Sequence, residues 1–246
     1  VVMLEKLKNV TIYLGSLLTT EDIFEFSADD KFGFSHVFLA TGATWRRDGI
    51  AREHREPIPG LEHVSVLTAD DIMDGVSAHG KVVIFDDEHY YMGGVLAEKL
   101  RLDGHDVKLV TPAPDISTWT HNTMEQGRIQ KNLLELGVEL ATHHNLASIH
   151  SEAVELACVF TDRRVRYSCD TLVLVTERQP NDDIYSTMQA DPGGVAKSGL
   201  KTIQCIGDCL APGIIAASVH SGHLAAREFE ADMPGEVPFL RERVML

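Results

Sequence analysis

No apolar run in this chain approaches the roughly 18 to 20 residues that a helix needs to cross a bilayer, and its first residues lack a basic stretch followed by an apolar one. A membrane-spanning or secreted chain is therefore not expected, and a cytoplasmic one is. Basic charge is scarce as well: 22 Lys and Arg stand against 37 Asp and Glu, a formal net charge of -15. A surface that neutralises nucleic-acid phosphates or docks on anionic lipid needs a basic stripe, so neither nucleic acid nor a membrane is expected as a partner. Cysteine is sparse, and Cys158, Cys169, Cys205 and Cys209 are nowhere spaced as C-x-x-C. Zinc and iron–sulfur frameworks use close pairs, so the four read as reduced, mostly buried thiols. His220 and His223 are spaced to share a helix face, but with no carboxylate or cysteine beside them no metal site is expected. Also missing is a G-x-G-x-x-G loop after a first strand, the fingerprint that opens a dinucleotide-binding domain.

What is present is an ordinary globular composition, 246 residues with 44% hydrophobic, enough for one large domain or two small ones. Val1 to Leu7 reads as the tail of a helix and Asn9 to Leu14 as a strand. With no glycine-rich turn before them, the chain is expected to start midway through a fold. Thr19 or Thr20 ahead of Glu21-Asp22 reads as an N-cap with acids in the first turn, opening a helix to about Phe26. His36 to Ala43 is an aliphatic strand that ends in small residues, Ala40-Thr41-Gly42, which let a ligand or a neighbouring backbone approach closely. The stretch from Trp45 to Gly60, with Arg46, Arg47, Arg52 and Arg55, reads as a long surface loop, and Thr68 as the cap of a short helix.

Lys81 begins a βαβ unit: strand Val82 to Phe85, an amphipathic helix from Gly93 closed by Gly104, and strand Val107 to Thr111. Its turn is Asp86-Asp87-Glu88-His89-Tyr90-Tyr91-Met92, where a pyrophosphate would meet carboxylates and bulky side chains instead of glycines. No NAD(P) binding is expected there. A helix from Asn122 to Leu136 and a layer of short strands follow, with His143 and His144 in a polar loop. Thr171 to Thr176 echoes Val37 to Thr41, which suggests two related domains. Asp191 to Lys197 reads as a loop, and the tail from Met233 as a segment lying over the surface.

The strongest candidate for a functional site is Thr202 to Gly213 with the small-residue helix that opens at about Ile214 and runs to Glu230. Strand, tight turn at Gly207-Asp208 and helix N-terminus follow in order. A phosphate is favoured at such a helix start, and Asp208 could accept hydrogen bonds from a ribose or ribityl hydroxyl. A buried strand and helix joined by an ordinary turn is the alternative.

Ala40-Thr41-Gly42, the βαβ unit from Lys81, the strand ending near Thr176 and Ile206-Gly207-Asp208 occur in the order of two-dinucleotide-domain flavoproteins. More closely, Ala40 to Gly49, Pro57-Ile-Pro-Gly60, Asp87 to Gly94 and Ile206 to His223 resemble the C-terminal part of the trimethylamine, dimethylamine and histamine dehydrogenase family. The resemblance implies an α/β fold of Rossmann-like three-layer domains. An NAD-type domain, 76–180, would be inserted in an FAD/ADP-type domain made of 1–75 and 181–246 that is incomplete at its N-terminus. It also implies that Ala40, Thr41, Gly42, Gly207 and Asp208 line an ADP or FAD position, with Ile214 and Ile215 at the start of the helix supplying its dipole. FMN and a 4Fe–4S cluster would belong to an N-terminal barrel that this chain lacks, so the isolated chain is expected to be inactive and to act through that barrel. An electron-transfer flavoprotein and a second copy, as a homodimer, are the further partners implied. Two other readings stay open: part of an NAD(P)H:flavin oxidoreductase of the dienoyl-CoA reductase type, and a non-catalytic scaffold.

Overall fold

A computed structural model describes residues 4–29, 33–161 and 163–229. In chain order the elements are α1 (Thr20–Ala28), β1 (His36–Leu39), β2 (Ala43–Trp45), β3 (Ser65–Thr68), α2 (Ala69–Met73), β4 (Lys81–Asp86), α3 (Met92–Leu102) and β5 (Asp106–Val110). They continue as α4 (Gln126–Glu135), β6 (Glu139–Ala141), β7 (His144–His150), β8 (Ala153–Cys158), β9 (Arg164–Ser168), β10 (Thr171–Val175) and β11 (Arg178–Pro180). The last of the described elements are α5 (Asp183–Ala190), α6 (Pro192–Ser198), β12 (Thr202–Cys205) and α7 (Ile215–Glu228). Two compact units result, one from the described residues up to Ala43 together with those from Pro180 on, the other Thr44–Gln179.

The second unit is built on a parallel sheet of order β3-β10-β4-β5-β6. Its central strands are apolar on both faces because both faces are covered. Val82 and Ile84 turn to α2, α3 and α4 and pack with Ile72, Leu96, Leu100 and Leu133. The residues that alternate with them, Val83 and Phe85, turn the other way and pack with Leu146, Ile149, Val154 and Leu156 of the antiparallel layer β7-β8-β9. Helices, parallel sheet and antiparallel sheet thus make three layers, and the α/β class that the resemblance implied is the observed one. β2 and β11 form a separate two-stranded pair.

The first unit holds β1 and β12 as a parallel pair. Around them Ile23, Leu39, Met188, Cys205 and Cys209 form a small core, joined by half-buried Phe24, Phe34 and Ile184 from α1, the approach to β1 and α5.

Residues 44–75 fall in the second unit, not in the first as the sequence suggested. β3 pairs in parallel with β10, Val66 opposite Leu172, and the Trp45 N–H donates to Asp70 Oδ2 at 2.9 Å. The β3–β10 pairing ties this stretch to the second unit, which runs from Thr44 to Gln179. Asn9 to Leu14 is not a strand: no strand pairs with it among the described residues, and Tyr13 and Leu14 are exposed. His144 opens β7 rather than sitting in a loop, and 192–198 is a helix, because Pro192 pre-sets the first turn and Asp191 accepts from the Gly194 N–H at 2.9 Å. The expected tail from Met233 and the end of the last helix at Glu230 lie outside the described residues.

Helix starts follow local chemistry. Thr68 caps α2 in a reciprocal box, its N–H donating to Asp71 Oδ2 at 2.7 Å while its hydroxyl oxygen faces the Asp71 N–H at 3.5 Å. Thr19 rather than Thr20 does the same for α1 with Asp22. Thr68→Ala is expected to lower stability by about 1 kcal/mol. Urea unfolding checks this, and an unchanged midpoint would show that the box contributes nothing.

Candidate functional site

In the first unit Leu39 lies opposite Cys205, and the Ile206 N–H donates to the Leu39 carbonyl at 2.9 Å. Both strands therefore end at one level, and the chain leaves them through Ala40-Thr41-Gly42 and Gly207-Asp208 side by side. The carboxyl ends of parallel strands are where α/β folds gather ligands. Gly42 and Gly207 have φ of 77° and 61°, in the left-handed region. A Cβ on Gly42 would meet nothing within 4 Å, and one on Gly207 would make only ordinary contact with Ser218 at 3.6 Å. Glycine is needed at both for backbone conformation rather than for room.

The side chains of the two turns are held from within the unit. The Thr41 hydroxyl donates to the Asn181 carbonyl at 2.5 Å and lies 3.1 Å from Cys209 Sγ. Asn181 returns two bonds, its amide side chain to the Thr41 carbonyl at 3.1 Å and its N–H to the Gly42 carbonyl at 3.0 Å. Sequence reading missed Asn181, whose place just after Pro180 signals a turn but not which turn it braces. Asp208 Oδ1 accepts from the Gly213 N–H at 3.2 Å and from the Ser218 hydroxyl at 2.6 Å. The Gly207 N–H donates to Ser221 Oγ at 2.9 Å. Burial, with a hydrogen bond to the Cys209 thiol beside it, pushes the Cys205 thiol up to about 12, so it stays protonated.

Ile214 is the N-cap of α7, extended at φ -75° and ψ 159°, with no side-chain capping bond. Ile214 and Ile215 are exposed, so both serve as the backbone start of the helix rather than as core. A nucleotide fits this set in two respects: open space over Gly42, and a fixed carboxylate at Asp208 beside an uncapped helix start.

The acidic turn of the second unit is built differently. Asp86 and Asp87 are both fully buried. Asp86 Oδ1 accepts from the N–H groups of Glu88 at 3.1 Å and His89 at 2.9 Å, while its Oδ2 has no partner. Asp87 Oδ2 accepts from the Glu53 N–H at 3.0 Å, which ties the arginine-bearing loop to the end of β4, and its Oδ1 lies 3.3 Å from His89 Nε2. Burial raises Asp86 to about 7, opposed by the His89 N–H bond and ring. Glu88 is also raised by burial. A pyrophosphate brought to the start of α3 would meet these carboxylates where a dinucleotide fold offers glycine amides. Among the described residues no group of three or more His, Cys, Asp or Glu is placed to hold a metal ion, and no helix is long and apolar enough to cross a membrane.

Residues 67–178 match the family model of the OYE-like second alpha/beta domain. Dimethylamine dehydrogenase of Hyphomicrobium sp. (strain x) is 32% identical over 243 residues, 88% of this chain and 33% of that protein. Among solved structures, histamine dehydrogenase from Rhizobium sp. 4-9 superposes with a TM-score of 0.89 at 40% identity, over 98% of this chain and 35% of that one. The 6-hydroxypseudooxynicotine amine oxidase from Pseudomonas geniculata N1 gives 0.85 at 37% identity, over 92% of this chain and 33% of that one. The chain thus spans about a third of the length of the relatives it matches.

Proposed function

Starting from homology to dimethylamine and histamine dehydrogenases over most of this chain, we propose that it is the C-terminal nucleotide-binding region of a flavoprotein amine dehydrogenase. Its substrate class is a small amine such as trimethylamine, dimethylamine or histamine, oxidised to an imine that water hydrolyses. FMN and a 4Fe–4S cluster, held in a barrel N-terminal to this chain, would supply the redox chemistry and pass electrons to an electron-transfer flavoprotein. The residues of this chain bind and orient ADP or FAD. Ala40, Thr41 and Gly42 line the open space at the end of β1, Asp208 takes a sugar hydroxyl, and the start of α7 at Ile214 and Ile215 faces the phosphates. The isolated chain is inactive in this reading, and the full-length protein is cytoplasmic and homodimeric.

The observation that carries the nucleotide role is the pair of strand ends in one unit, with the Asp208 carboxylate fixed beside an uncapped helix start. Isothermal calorimetry tests it. The full-length polypeptide is expected to bind ADP, and a Gly207→Ala/Asp208→Asn double variant at least tenfold more weakly, as loss of a charge-assisted bond and of the turn requires. Equal binding by both would leave only the scaffold role. The match of 67–178 to an OYE-like domain favours a second reading, an NAD(P)H:flavin oxidoreductase. The buried carboxylates at Asp86 and Asp87 oppose it, and rapid flavin bleaching by NADPH would establish it over the amine dehydrogenase.

A further inference from the structure

We propose that Ser218 and Ser221 of α7 are positioning residues for a nucleoside diphosphate at the Gly207-Asp208 turn, an inference that rests on the nucleotide reading above. The two serines are three residues apart and so share one face of the helix. That face meets the turn at two points of opposite polarity. Ser218 donates its hydroxyl to Asp208 Oδ1 at 2.6 Å, and Ser221 Oγ accepts the Gly207 N–H at 2.9 Å. The Gly213 N–H adds a second donor to the same carboxylate oxygen at 3.2 Å.

A carboxylate that accepts from a hydroxyl and an amide on one oxygen is fixed in rotation. So oriented, it can accept a hydrogen bond from a ribose hydroxyl. The Gly207 bond acts on the backbone: it holds the peptide of a left-handed residue, φ 61°, so that the turn keeps its shape before any ligand arrives. Ser218 and Ser221 are only half-buried, and Ala225 is the one buried residue of α7. Core packing therefore gives little reason for hydroxyls at 218 and 221, whereas the turn uses both.

The test is a double-mutant cycle read by ADP calorimetry on the full-length polypeptide, with the melting temperature of the ligand-free protein measured beside it. Ser218→Ala is expected to weaken ADP binding about tenfold and to leave the ligand-free melting temperature nearly unchanged. In an Asp208→Ala background the same substitution is expected to have no further effect, since it acts through that carboxylate. Ser218→Thr, which keeps the hydroxyl, restores binding, and Ser221→Ala weakens it without acting through Asp208. ADP binding by the wild type with equal binding by Ser218→Ala and Ser221→Ala would overturn this inference alone. So would a tenfold loss on Ser218→Ala that persists in the Asp208→Ala background, the mark of a merely structural helix. No ADP binding by the wild type would overturn the nucleotide reading and this inference with it.

Discussion

Asp86→Asn is expected to flatten the pH dependence of stability between about pH 4 and pH 7 and to make the protein more stable than wild type at pH 8. In the folded chain burial lifts the Asp86 carboxyl from 3.8 to about 7. Between those values the native state keeps a proton that the unfolded chain has released. Stability therefore falls as pH rises through this window and levels off above it, once both states are ionised. At roughly 1.4 kcal/mol per pH unit the whole fall is on the order of 4 kcal/mol, and relaxation around a buried charge reduces it. Asparagine keeps an oxygen where Oδ1 accepts from Glu88 and His89, and it carries no proton to lose. Its advantage should be absent near pH 4 and largest above pH 7. The titratable side chains acting on Asp86 are Glu88 and His89 of the turn, and Arg178 and Arg52 act in turn on Glu88. Denaturant midpoints of wild type and variant at pH 5 and pH 8 decide the matter, and parallel pH profiles would show that Asp86 is not the titrating group.

Gly93→Ala is expected to destabilise the second unit by about 2 to 3 kcal/mol, although alanine is by itself the better helix former by about 1 kcal/mol. The reason is the same carboxylate. A Cβ on Gly93 would come within 2.4 Å of Asp86 Oδ2, 2.6 Å of its Cγ and 2.9 Å of its Cβ. Asp86 is fully buried and its other oxygen is held by two amides, so it cannot swing aside. Glycine thus stands at this helix start, but to admit an aspartate of the chain itself. A second substitution isolates the contact. Asp86→Ala should absorb most of the penalty, giving a coupling of at least about 1 kcal/mol in the double variant. A Gly93→Ala protein as stable as wild type would mean that the carboxylate is not fixed against the helix.

Much of the second unit is legible in one dimension. Val82 to Phe85 and Leu172 to Val175 are short and apolar throughout, which signals strands covered on both faces, and Gly93 to Leu102 switches to the helical period between β4 and β5. The turn from Asp86 departs from a glycine fingerprint by residue type alone, before any coordinate is known. Less legible were the elements that depend on partners. Asn9 to Leu14 alternates like a strand, yet a strand exists only where a neighbour accepts its backbone bonds. β3 is only four residues long, and nothing local says that it pairs with β10 and carries residues 44–75 into the second unit.

The candidate site divides the same way. Residue chemistry alone determined that Gly207 can take a left-handed turn, that Asp208 can accept from a hydroxyl, that acids crowd the end of β4, and that acids outnumber bases by 37 to 22. Only the tertiary structure decided that Thr41 is braced by Asn181, 140 residues away, that Asp208 answers to Ser218, and that Asp86 lies under Gly93. Alternation and propensity act over a few residues and specify which face of an element is buried. Which element lies against that face is set by sheet order and crossover, and it is there that hydrogen-bond partners distant in sequence are chosen.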